Sequence, residues 1–314
     1  MILRMQFNNT STPIVKTKKA LRKRLPIGIV KLYDRWKYNY FNLSGTYKYN
    51  LSTLEKKKLS QTTSHILTTT KKLVNNRKII LFYPDFPYKK AALYQICLLL
   101  GYDVTNNPEI NFDLAVKWER YATFFENDRV LSELSRQHKN IINLHCRDVS
   151  KNYTNEVFER VFGYSLGINP LTYTGKCVAK SNLNAQHDGK IINCPISQVK
   201  SGVTYQKLID NEVEKNAVLD YRVPIFKNEI PLVYIYLKKN QNSTQRFFGY
   251  PSLISVELAD PETVFSQDEI KKILAFCQKI GLDYGELDIL RDRQDRRIYI
   301  VDANNTPSSR LLFE

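Results

Sequence analysis

Between residues 78 and 145 the chain alternates between two hydrophobic periods, and this alternation narrows the fold more than any other feature. "KIILFY" (78–83) is an apolar run of strand length, rich in the β-branched and aromatic residues that suit a covered pleated surface. Leu93, Ile96, Cys97 and Leu100 then recur at i, i+3, i+4 and i+7, which predicts one apolar helix face, stopped at Gly101. "FDLAVKW" (112–118) and "KNIINLH" (139–145) repeat the strand signal, with a second helix expected near 129–138. Parallel strands need a crossover connection, and helices supply it. This order therefore predicts a small parallel α/β unit.

Past a short helix, "TNEVFERVFG" (154–163), the pattern becomes β-rich. "KCVAKS" (176–181) and "KIINCPI" (190–196) read as a hairpin around "HDGK". "GVTYQKLI" (202–209), "AVLDYRVPIF" (217–226) and "IPLVYIYL" (230–237) follow as strands. "SQDEIKKILAFCQKIG" (266–281) is the clearest helix. Ser266 and Glu269 have capping-box spacing, Ile270, Ile273, Leu274 and Cys277 line one face, and Gly281 ends it. "YGELDIL" (284–290) and "RIYIVDA" (297–303) are strands joined by the polar turn "RDRQDR". The chain divides into a basic arm (1–75), an α/β subdomain (76–150) and a β-rich region (151–314).

Charge bears on the arm. Of a formal +16 over 314 residues, most sits in residues 1–60, where fourteen Lys and Arg face Asp34 and Glu55. Tyr33, Trp36, Tyr38, Tyr40 and Phe41 interleave with these cations. The arm either packs its aromatics on the body or meets an anionic surface, such as a membrane or an acidic polysaccharide. No RNP, zinc-finger or helix-turn-helix signature points to nucleic acid. Five scattered cysteines without a CxxC suit buried thiols. The first residues lack the apolar core of a signal peptide, and no segment reaches the roughly 20 apolar residues of a spanning helix. A cytoplasmic protein, peripheral at the inner membrane face if the arm meets lipid, is the expectation.

The last strand raises a chemical question. Ile298 to Val301 are core-like, yet Asp302 and Asn304 follow at once. They share a face by the period of two, and a carboxylate beside an amide oxygen suits a hard cation such as Mg²⁺. Asp288 can face Asp302 if the two last strands pair. Alone, Asp and Asn at a strand end equally suit a turn. Upstream, Lys180 ends an apolar strand and can reach phosphate as a point charge, or it can simply be solvated. The polar loop "SNLNAQHDGK" offers backbone N–H groups to anions. "TYQKLIDN" passes from strand to connection, where extended backbone can meet an adenine edge. Asp220 and Arg222 share a face, either converging on a ligand or pairing with each other.

This ordered set resembles the ATP-grasp superfamily, and within it the ligases that add glutamate to a ribosomal protein. The resemblance covers roughly residues 78–310. It implies an ATP-grasp fold of α/β (α+β) class, in which a small parallel subdomain and two β-rich subdomains enclose a nucleotide cleft. "VAKS" resembles the family's strand lysine, placing Lys180 on the α- and β-phosphates. "YQKLID" resembles its adenine hinge, so Gln206, Lys207, Leu208 and Ile209 line the base mostly through backbone. "DYRV" implies Asp220 on the ribose and Arg222 on phosphate or substrate. "ELDIL" and "VDANNTP" imply Asp288, Asp302 and Asn304 as Mg²⁺ ligands, with Mn²⁺ an alternative ion. Lys151 in "RDVSK" falls where members carry an earlier nucleotide lysine, and His187 and Gly189 fall in the phosphate loop. Asp302 stands where the family carries Glu, and the loop has Gly189 alone where glycines are usually more frequent.

The implied reaction is ATP-dependent carboxylate–amine ligation through an acylphosphate. Lys180, Arg222 and Arg310 are its catalytic candidates, and Arg246 is a further candidate for orienting the carboxylate. The acidic partner suggested by the arm points to a uronic-acid sugar or surface polysaccharide precursor. An ATP-grasp kinase acting on a hydroxyl, and a non-catalytic module binding an acidic polymer, are the competing readings.

Overall fold

The computed structural model describes residues 78–120, 122–125, 128–137, 140–214, 217–239 and 253–308. The basic arm, Arg246 and Arg310 lie outside the described residues.

The first subdomain follows the alternating periods with two departures: the strand Asp103–Thr105 was not expected, and the one expected over 139–145 is reduced to two residues. β1 (Ile79–Pro84), β2 (Asp103–Thr105), β3 (Leu114–Trp118) and β4 (Ile141–Ile142) form a sheet in the order β2-β1-β3-β4. Every pairing in it is parallel. α1 (Ala92–Leu99) and α2 (Arg129–Arg136) supply crossovers. α2 starts at Asp128, whose side chain accepts from the Leu131 N–H. α1 corrects one expectation. Its buried residues are Tyr94, Gln95 and Cys97, while Ile96 is 43% exposed. Gln95 is buried instead, with its Nε2 donating to the Lys89 carbonyl at 2.9 Å and its Oε1 without a partner among the described residues.

α3 (Lys151–Phe162) begins three residues before the expected start. Ser150 caps it by accepting from the Tyr153 N–H, and Gly163 closes it in the left-handed conformation. A three-stranded antiparallel sheet follows, ordered β6-β5-β7 from β5 (Gly175–Ser181), β6 (Lys190–Cys194) and β7 (Val203–Lys207). The largest sheet is antiparallel, ordered β11-β10-β9-β12-β13, with β8 (Glu212–Glu214) on β9. Its other strands are β9 (Ala217–Phe226), β10 (Val233–Lys239), β11 (Leu253–Ala259), β12 (Tyr284–Arg291) and β13 (Ile298–Asn304). Neither β8 nor β11 was expected from the sequence. α4 (Pro261–Val264) and α5 (Gln267–Ile280) precede β12, and α5 carries the full Ser266–Glu269 capping box.

One face of the large sheet is apolar. Val223, Ile225, Leu287, Ile289, Ile298 and Ile300 join Phe158 of α3 and Ile273 and Phe276 of α5 in the principal core. Phe158 stacks on Phe162 with centroids 4.4 Å apart and on Tyr299 at 5.9 Å. The opposite face carries the charged residues described below. All five cysteines are buried.

A polar knot joins β4 to β12. Asn143 is buried in a left-handed turn, and its Oδ1 accepts from the N–H groups of Asp283 (2.9 Å) and Tyr284 (2.8 Å). Its Nδ2 donates to the Tyr284 carbonyl at 2.8 Å. Asn143→Ala removes all three bonds and strands buried partners. It is expected to cost about 3 kcal/mol, read from denaturant unfolding midpoints at constant m-value.

Candidate active site

A cleft of about 460 Å³ lies over the charged face of the large sheet. It is lined by Lys151, Lys180, His187, Gly189, Gln206, Lys207, Leu208, Ile209, Asp220, Arg222, Asp288, Asp302 and Asn304. Every sequence-derived candidate among the described residues therefore reaches one space. These residues come from α3, β5, the β5–β6 and β7–β8 connections, and strands β7, β9, β12 and β13, which are distant in sequence.

Register explains the acidic end. Asp288 pairs with Asp302 and Glu286 with Asn304, so three carboxylates and an amide form two facing rows. Gly285 permits this close approach, since a Cβ there would meet the Asn304 carbonyl oxygen at 2.6 Å. The pairing slips at one point. Ile289 opposes Ile300 while Asp288 opposes Asp302, leaving Val301 as an extra residue. Adjacent residues of β12 face opposite sides, so Ile300 follows Ile289 into the core while Asp302 follows Asp288 to the cleft. The carbonyl of Val301 accepts from Lys180 Nζ at 2.8 Å, which docks the lysine beside Asp302.

The charges in this region are closely balanced. Lys151 Nζ lies 2.9 Å from Asp302 Oδ1. Arg222 Nη1 lies 2.9 Å from Glu286 Oε1, and its Nε lies 3.3 Å from Asp288 Oδ1. Burial would raise the Asp302 carboxyl, but the ammonium groups of Lys151 and Lys180 hold it below its ordinary value. Burial pushes Lys180 down to about 8 despite the nearby Asp302. Asp288 and Glu286 raise Arg222 above its ordinary value against the effect of burial.

The donors fit a hard cation. The ion pairs named above fall on Oδ1 of both Asp288 and Asp302. The Asn304 amide oxygen accepts from the Thr306 N–H at 3.0 Å, and its second lone pair can meet a cation. Mg²⁺ takes one or two carboxylates and draws its other ligands from phosphates and water. Among the described residues no group of three or more His, Cys, Asp and Glu is arranged to hold a metal by itself.

The hinge side chains point elsewhere. Gln206 Nε2 donates to Asn155 Oδ1 at 2.7 Å. Lys207 Nζ bonds Asp292 (2.9 Å), Asp295 (3.0 Å) and Tyr299 (3.2 Å). The main chain of Gln206 and Lys207 is engaged too, with the Lys207 N–H donating to the Leu166 carbonyl at 2.8 Å. What this segment offers the cleft is therefore the stretch at Leu208 and Ile209. Asp220 does not pair with Arg222. Its Oδ1 accepts from Asn211 Nδ2 at 2.8 Å, and its Oδ2 is ion-paired with Lys238.

The β5–β6 loop is tied down. Ser181 N–H donates to Asp188 Oδ1 at 2.9 Å, Asn182 N–H to the Gly202 carbonyl at 2.9 Å, and Asn184 N–H to Thr123 Oγ1 at 2.8 Å. With Gly189 its single glycine, the loop turns through Ala185 (φ 56°) and His187 (φ 53°). Each left-handed residue costs about 1–2 kcal/mol, which the surrounding bonds offset.

Sequence reasoning missed Glu286, Lys238 and Tyr88, which also line the cleft. Glu286 was visible in principle, two residues before Asp288 on the same strand face. Tyr88 carries no local signal. It comes from the β1–α1 loop, where its hydroxyl bonds the Thr306 carbonyl at 3.2 Å and also Ser308 Oγ, and the Arg120 guanidinium lies 3.9 Å over its ring. Among the described residues no helix is long and apolar enough to cross a membrane.

No family model matches this sequence, and no curated protein matches it. Among solved structures it is similar to the ATP-grasp ligase PsnB complexed with minimal precursor, at 13% identity and a TM-score of 0.40. That match covers 58% of this chain and 61% of PsnB, less than two thirds of the latter. D-alanine–D-alanine ligase from Bacillus anthracis matches at 14% identity and a TM-score of 0.45, covering 74% of this chain and 88% of the ligase. An L-amino acid ligase from Bacillus licheniformis matches at 12% identity and a TM-score of 0.45, covering 73% and 67% respectively.

Proposed function

We propose that this protein is an ATP-dependent ligase that joins a carboxylate to an amine through an acylphosphate. One observation carries the reading. Nucleotide, phosphate and cation candidates spread from Lys151 to Asn304 line a single cleft. Unrelated turn formers and solvated charges have no reason to converge in this way.

In this reading the stretch at Leu208 and Ile209 receives adenine between the two antiparallel sheets. Lys151 and Lys180 meet the phosphates, aided by N–H groups of residues 185–189, since those of 182–184 are already engaged. Asp220 takes the ribose by exchanging one of its present partners. Asp288, Asp302 and Asn304 hold Mg²⁺, which when bound neutralises charge on the phosphate oxygens. Arg222 stands beside the acidic rows, where a guanidinium can meet the γ-phosphate end of the nucleotide, next to which the attacking carboxylate must lie. Local cations and anions offset one another here, so the nucleotide is accepted only with its own cation.

The test is calorimetric titration of ATP with and without Mg²⁺, followed by assay of ADP and phosphate release over a panel of carboxylates and amines. Micromolar Mg²⁺-dependent binding, about −8 kcal/mol, with release of free phosphate supports the ligase. Phosphate retained on the product would identify a kinase instead. No binding by folded protein would overturn the nucleotide reading.

A pH dependence follows from Lys180. Its proton is lost near pH 8 in the fold and near 10.5 when unfolded. Across that window the unfolded chain holds this proton and the fold does not, so the Lys180 contribution to stability rises with pH. The buried thiols of Cys97, Cys146 and Cys177, pushed up to about 12, contribute with the opposite sign in the alkaline range. Phosphate needs the ammonium form, so Mg-ATP affinity should fall as pH passes 8. Calorimetry in buffers of different ionisation enthalpy should show proton uptake on binding above that pH.

A further inference from the structure

Arg222 has three anchors in the cleft, and they are not equivalent. Nη1 lies on Glu286 at 2.9 Å, Nε lies 3.3 Å from Asp288, and the guanidinium carbon is 5.6 Å from the Tyr236 ring centroid. Asp288 is the anchor that a cation would claim. Glu286 sits two residues away in the same row, opposite Asn304, with its side chain largely buried. It is placed to keep hold of Nη1 when Asp288 turns to a metal. A flexible side chain that must be ordered during binding gives up part of its interaction energy, whereas one fixed beforehand does not.

We propose that Glu286 is a positioning residue. It fixes the Arg222 guanidinium so that its Nε edge meets the γ-phosphate end of the nucleotide once a cation has taken Asp288. The inference rests on the nucleotide reading above. It implies that Glu286 acts on the discrimination between ATP and ADP rather than on nucleotide affinity in general.

The test compares Mg-ATP with Mg-ADP binding on the full chain. Wild type should prefer ATP. Glu286→Ala should lose about tenfold of that preference, the size of one charge-assisted hydrogen bond, while Mg-ADP affinity stays within about twofold by the same reasoning, since ADP makes no such bond. Glu286→Gln keeps an acceptor oxygen without the charge and should fall between the two. In an Arg222→Ala background Glu286→Ala should change the preference no further. A purely structural Glu286 would weaken both nucleotides alike, and that result would overturn the proposal. So would an unchanged preference in Glu286→Ala, or a wild type that binds both nucleotides equally. Wild type that binds neither nucleotide would instead overturn the reading of the cleft itself.

Discussion

Lys180→Ala is expected to weaken Mg-ATP binding by about 10- to 100-fold while leaving the free protein as stable as wild type, or slightly more so. The two halves of this result have one cause. Lys180 is held in a desolvated position that disfavours its charge, with the Val301 carbonyl as its hydrogen-bond acceptor. Removing it relieves that burial in the empty cleft. In the complex it removes a charge-assisted contact to phosphate, worth about 1.5–3 kcal/mol, together with part of the balance against the acidic rows. A loss of binding accompanied by a lowered melting temperature would mean that the lysine is structural. Binding within about threefold of wild type, far short of one such contact, would place the phosphates elsewhere.

The second large effect concerns the fold. Gly281→Ala is expected to cost about 4 kcal/mol, a large share of the 5–15 kcal/mol by which domains are stable. Gly281 ends α5 at φ 70°, and an added Cβ would lie 2.4 Å from the His145 backbone carbon and oxygen. Left-handed strain contributes about 1–2 kcal/mol and overpacking about 1–3 kcal/mol. The obstacle is main chain next to the Asn143 knot, so it cannot swing aside. Gly163 is the control. It also closes a helix with positive φ, at 80°, but a Cβ there meets nothing within 4 Å. Gly163→Ala should cost only about 1 kcal/mol. Equal losses in the two variants would show that the junction between β4 and β12 is softer than its geometry implies.

Much of this architecture was legible from local pattern. The run "AVLDYRVPIF" coincides with β9 residue for residue, and Ser266 with Glu269 marked the start of α5. Both signals are local, one a propensity and one a cap. The pairing of Asp288 with Asp302 was also legible, because two strands joined by a short polar turn must meet. Other features depended on distant partners. β8 and β11 are short or exposed strands that exist through β9 and β10, and nothing in their own composition demands them. Ile96 is exposed while Gln95 is buried, against the apolar spacing. In the cleft, Lys180, Arg222, Asp288 and Asp302 were singled out as an ordered set, whereas Glu286, in the same row, was passed over. Tyr88 was invisible because it arrives from a loop more than two hundred residues before its partners, Thr306 and Ser308.

The extra residue in β13 has an evolutionary corollary. What the site requires of position 301 is that it exist, since the contact it makes with Lys180 uses its carbonyl and not its side chain. Its side chain packs against the principal core, so apolar residues of similar size suit the position while its carbonyl serves the site. Loss of that single residue would restore a regular ladder in which Ile300 and Asp302, now adjacent, still face opposite sides, so Asp302 would keep the cleft while Lys180 lost the carbonyl that docks it. An apolar substitution at position 301 should be cheap, and a single-codon deletion there should be felt at Lys180 rather than at Asp302.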